Sequence, residues 1–241
     1  LDQVIGRTRL YEGQGNDHFL EQEEQRRARA HIVLVEALTL EIRGHEALFA
    51  VLTEMLEAWF EVKALGEQAS QRRQKHVLII IRQVLETLFG ELAKQFPLRG
   101  LWKTLPDDRE KKLRETLFWQ TAISVGFTDF PQAWVHVKKN NLQWVCDQTG
   151  SNISKLQPLV VATLLCASKH QEHPLRSAAI AFPDFLEKIA QVIDLGGAGA
   201  HAGETAVVLS DVQSGVKQTL CIVGSLLSLS MRPLEEIEIN G

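Results

Sequence analysis

The chain has 241 residues, of which 45% are hydrophobic and 23% charged, with a formal net charge of −4. That is enough chain to bury a substantial core, in an ordinary globular balance, and the small negative charge removes any general pull toward nucleic acid or an acidic membrane surface. Acidity is concentrated late: residues 170–241 hold four Lys/Arg against nine Asp/Glu, a net −5.

Apolar periodicity is helical almost throughout. After "EGQGND", Asp17 is placed to N-cap a long helix whose first turns, "FLEQEEQRRARA", are polar. From Ile32 to Val62 the apolar positions Leu34, Leu38, Ile42, Leu48, Leu52, Met55, Leu56 and Trp59 fall mostly at spacings of three, four or seven, with Gly44 a point of bending. A second helix is expected from about Gln68 to Gln95, stopping before Pro97. "QRRARAHIVLVEALTLEI" from Gln25 echoes "QRRQKHVLIIIRQVLETL" from Gln71. A single echo suits two amphipathic helices in an antiparallel hairpin better than a solenoid, which needs several stacked repeats.

"PLRGLWKTLPDD" (97–108) reads as a connector. Asp107 or Asp108 then starts a helix running through Leu113, Leu117 and Ile123, "GFTDFPQ" breaks it, and another begins near Pro131 carrying Trp134, Val137 and Trp144. Further helices are predicted at Ser154–His170, Phe182–Ile193 and Asp211–Met231, the last with Ser210 and Gln213 at capping-box spacing. "HVLIII" and "TAVVL" are β-branched but short and sit in or beside helical pattern. The fold class expected is all-α: a long N-terminal helical hairpin over 1–97, then a compact helical domain over 98–241.

Cys146, Cys166 and Cys221 are few, odd in number and widely spaced, which argues for a reducing compartment and a cytoplasmic setting. No uncharged apolar run approaches the roughly 18 residues of a membrane span. The chain opens at Leu1 with no methionine or signal-like segment, and is expected to be a piece of a longer intracellular protein.

Several stretches invite a chemical reading. "GGAGAHAG" (196–203) lacks the Lys-Ser/Thr of a P-loop and follows no strand, so its glycines are expected to end a helix at Leu195 and to let backbones approach. "CASKHQEH" spaces Cys166, His170 and His173 as one helix face would, but no fourth zinc ligand is evident. Lys169 and His170 suit a helix C-terminus instead. No nucleophile elbow occurs, "GSN" (150–152) reads as a helix-start loop, and Glu23/Glu24 and Asp107/Asp108 read as first-turn acids. "WVHVKKNNLQW" (134–144) combines Trp134, His136, Lys138 and Lys139 in a composition that suits a nucleic-acid or partner surface.

"FLEKIAQVIDLGGAGAHAGETAVVLSDVQSGVKQTLCIVGSLL" resembles the terminal helical hairpin of HEPN-type domains, a helical group rich in prokaryotic defence and toxin ribonucleases. The resemblance covers roughly the last third of the chain. It implies a helical fold, a dimer interface and His201 as the residue that aids proton transfer or binds RNA. The family's arginine–asparagine pair would align with Gly196 and Gly197, so the cation that handles the phosphate is missing. Arg26 and His31 in "RRARAH" have the same spacing, but sit in a charged helix with intrahelical Glu–Arg pairing.

The primary expectation is a non-enzymatic helical interaction or regulatory module, acting on a protein partner or on itself and needing no cofactor or metal. The alternatives are an HEPN-type, metal-independent ribonuclease or its inactive relative, with His201 catalytic, and a nucleic-acid-binding accessory domain using Trp134, His136, Lys138 and Lys139.

Overall fold

The computed structural model describes residues 45–147, 155–182, 184–200 and 206–227. The readings placed on Asp17, Glu23/Glu24, Arg26, His31, Gly44, the 150–152 loop and His201 lie outside the described residues. Within them the chain is all-α, without strands: α1 (Glu46–Leu65), α2 (Gln71–Gln95), α3 (Lys111–Val125), α4 (Lys139–Asp147), α5 (Leu156–Ala167), α6 (Pro174–Ala181), α7 (Phe185–Ala200) and α8 (Leu209–Leu226). Short 3₁₀ turns at Gly66–Gln68, Leu101–Thr104 and Gln132–His136 join some of them. No helix among the described residues is long and apolar enough to cross a membrane.

The α1 stripe is the one the spacing predicts: Leu48, Leu52, Met55, Leu56, Trp59 and Val62 are buried. Gly66, at φ 53°, reverses the chain and donates its N–H to the Val62 and Lys63 carbonyls. Ser70 then caps α2 by accepting from the Arg73 amide. The β-branched run of "HVLIII" is helical, because Val77, Leu78, Ile80 and Ile81 are buried against several neighbours at once, and tertiary packing outweighs the small β preference of such residues. Phe96 leaves the helix in extended geometry, as a residue before proline must.

α2 is the central post: α1, α5, α7 and α8 all pack on it. α5 is apolar all round and buried over nearly its whole length, which marks it as the other interior helix. Gln71 fastens the chain entering α8 to the start of α2 with a reciprocal pair, donating to the Val207 carbonyl (2.7 Å) and accepting from the Val207 amide (2.9 Å).

Four sequence expectations are corrected. α3 turns Leu113 (55% exposed) and Ile123 (63%) to solvent and buries Arg114, Phe118, Ala122 and Val125. The expected helix from Pro131 is split, since the 3₁₀ turn Gln132–His136 ends at extended Val137 before α4 begins. α8 is preceded by Val208 at the N-cap, so Ser210 does not cap it. The glycines do not end a helix at Leu195, because α7 runs through Gly196 and Gly197 to Ala200.

The half of that last expectation concerning close approach holds. A Cβ on Gly196 would lie 3.0 Å from the Arg82 Cβ and 3.4 Å from the Leu78 carbonyl oxygen. α7 crosses α2 nearly backbone to backbone at that point, a contact only glycine permits without displacement.

Candidate functional site: a cationic cleft

Beside the α2–α7 crossing lies a cleft of about 700 Å³. Arg82 of α2 lines one side, with Ile193, Asp194 and Gly197 of α7. The other sides are His136, Val137 and Lys138, then Asn141 of α4, and Lys155, Leu156, Gln157 and Pro158 at the beginning of α5. Lys138, Lys155 and Arg82, the last paired with Glu86, therefore line the cleft with one carboxylate, Asp194, in a protein whose overall charge is negative.

The segment carrying Lys138 is held from beneath. Arg114 is 2% exposed and donates to the Val137 carbonyl and to Asp108 Oδ1. The same Asp108 oxygen accepts the Lys139 amide at 2.9 Å, while Lys139 Nζ donates to the Leu105 carbonyl at 2.8 Å. These bonds explain the break before α4: Val137 gives its carbonyl to Arg114 instead of to a helix. They also separate the two lysines. Lys139 is tied into the scaffold, whereas Lys138 is exposed and makes no ion pair among the described residues.

Lys155 stands at the N-cap of α5. Its Nζ lies 5.1 Å from the Trp144 ring centroid and donates to Asn141 Oδ1 at 2.8 Å, so its charge is oriented but not neutralised. Arg82 Nε is 2.9 Å from Glu86 Oε1, which offsets part of its charge. The first-turn amides of α5 add to the field, since a helix leaves its leading N–H groups without intrahelical acceptors and lysine offers none.

Of the residues singled out from sequence, His136 and Lys138 reach this cleft, Lys139 serves the scaffold, and Trp134 is 2% exposed and stacks edge-on with Phe130. An indole buried that deeply offers no face to a base. Asn141 lies within "WVHVKKNNLQW" and Gly197 within the glycine stretch, whereas Arg82, Lys155 and Asp194 were missed, and they share no motif because they come from two separate helices and a cap. The Cys166–His170–His173 series serves structure: the Cys166 thiol points at the Phe96 carbonyl (3.8 Å), and His173 Nδ1 accepts the Leu175 amide to cap α6. Burial pushes the Cys166 thiol up to about 11 and Cys146 up to about 12, so neither offers a thiolate near neutral pH. Burial also lowers His173 to about 4, with His170 and Arg176 adding in the same direction.

No family model matches this chain, and neither does any curated protein or solved structure.

Proposed function

We propose that this chain is a non-enzymatic recognition module that binds an anionic ligand in the cleft between α2, α5 and α7. The observation that carries the reading is the convergence of Arg82, Lys138 and Lys155, from positions far apart in sequence, on one cavity of a net-negative chain. Cations dispersed over a surface are solvated and screened, whereas cations gathered on a concave wall focus their field. The test is a titration of the chain with phosphate-bearing probes at low and moderate salt. Binding should weaken as salt rises and should weaken further in Lys138→Glu. Binding indifferent to both would end this reading.

A second reading follows from the resemblance to HEPN-type ribonucleases. The missing motif arginine would stand at Gly196, and the Cβ of Arg82 sits 3.0 Å from where a Gly196 Cβ would be, so an arginine of another helix starts out beside that spot, with its Nε held by Glu86. On that reading His201 is catalytic and Arg82 assists it. The chain should then cleave RNA without added metal, and His201→Ala should abolish cleavage. Intact RNA after prolonged incubation with the unaltered chain removes the reading.

A further inference from the structure

Resting on the anion-recognition reading above, we infer that the cleft is built for a small phosphorylated molecule, a phosphomonoester or diphosphate on a compact body, and not for a nucleic-acid strand. Three features select that class.

Size is the first. The cleft is wide open to solvent, and its space of about 700 Å³ is of the order that a single small ligand fills, roughly 300–1,000 Å³.

The second is the division of the walls. Lys138, Lys155 and Arg82 supply charge for a phosphoryl group, together with the leading amides of Leu156 and Gln157, which act here only beside those cations. Ile193, half-buried, supplies the accessible apolar surface for the body of the ligand, with Val137 (5% exposed) and Leu156 (2%) closing the floor beneath it. Asp194 supplies an acceptor for a hydroxyl or amino group on that body. A carboxylate in the lining repels a continuous phosphate backbone, but suits a molecule with its charge at one end and a donor at the other.

The third is the absence of a stacking track among the described aromatic residues nearby. Trp134 is buried, and Lys155 covers one face of the Trp144 ring. Strand-binding grooves combine a basic track with aromatic platforms on which successive bases stack. No Trp, Phe or Tyr is among the described residues that line the cleft.

The glycine stretch acquires a role here. Gly197 lines the cleft, and a Cβ at this position would meet nothing within 4 Å. A larger side chain at 197 would therefore enter the open volume without disturbing the α2–α7 contact.

The experiment is calorimetric titration of the full chain with inorganic pyrophosphate, ribose 5-phosphate and adenosine diphosphate, beside a short single-stranded oligonucleotide. Two variants accompany it: Lys138→Glu, at an exposed position, and Gly197→Glu, which puts a carboxylate into the cavity. At least one small probe should bind, about tenfold or more weakly in Lys138→Glu and not measurably in Gly197→Glu, with thermal midpoints of both variants close to that of the parent. Equal affinity for pyrophosphate and the diphosphate nucleoside would assign recognition to the phosphates alone. Tighter binding of the nucleoside would add the apolar wall, and preference for ribose 5-phosphate would assign that wall to a sugar. Each of these supports the inference. Binding of the oligonucleotide alone, sensitive to Lys138, overturns it and leaves the recognition module standing. Small-probe binding untouched by either variant overturns it by placing the site elsewhere, and no Lys138-dependent binding of any probe overturns both.

Discussion

A Cβ on Gly196 would press against Arg82 and the Leu78 carbonyl, while one on Gly197 would stand in open space. The two neighbours should therefore answer the same substitution with opposite signs. Gly196→Ala should cost about 1–2 kcal/mol, because overpacking against a helix backbone outweighs the gain in helix propensity. Gly197→Ala should gain about 0.5–1 kcal/mol, since only the propensity term remains. Urea unfolding of both variants checks this, and equal shifts would contradict the close approach. His173 is the other informative single residue. It is 1% exposed, caps α6, and titrates near 4 instead of its ordinary 6.5. Because its folded value is depressed, the unfolded chain binds the extra proton between those limits. Stability contributed above pH 6.5 is thus lost as pH falls toward 4, on the order of 3 kcal/mol across the window. His173→Asn keeps an acceptor for the Leu175 amide and removes the titration, so its stability should change less steeply with pH over that interval. An unchanged slope would assign the acid sensitivity to other groups.

At the scale of single elements, the helices most legible in sequence were those with one dominant packing partner or a plain punctuation mark. The α1 stripe and the stop before Pro97 follow from local chemistry, whereas the second helix, expected from about Gln68, starts at Gln71 behind the Ser70 cap. α3 misled because its apolar residues lie on both faces, and periodicity alone could not choose Phe118, Ala122 and Val125 over Leu113 and Ile123. The deciding residue there is a charged one. Arg114 is buried because it reaches the Val137 carbonyl and Asp108, and no hydropathy pattern foretells a buried arginine with such partners. Replacing it by methionine should destabilise the fold by about 2 kcal/mol, chiefly by leaving the Val137 carbonyl unsatisfied. It should also loosen the Lys138 segment and weaken anion binding. Arg114→Met with parental stability would show that this network does not hold the segment. α6 escaped sequence reading because it is only eight residues long, and α7 was cut short because four glycines look like a terminus until a neighbouring backbone explains the first of them.

For the whole molecule, fold class was readable and the site largely was not. All-α architecture follows from periodicity summed over many turns. The cleft depends on Arg82, Lys138 and Lys155 meeting in space, and net charge conceals it, because the chain as a whole is acidic. His136 and Lys138 were visible within "WVHVKKNNLQW", where the tryptophans drew attention to base stacking that the buried Trp134 cannot provide. The recognition reading concerns one wall of the molecule, and residue-resolved amide shifts on addition of pyrophosphate test it most directly. Shifts should cluster on Lys138, Leu156, Gln157 and Gly197 and vanish in Lys138→Glu. Shifts confined to other surfaces, or none at concentrations where simple anions bind comparable sites, would contradict it.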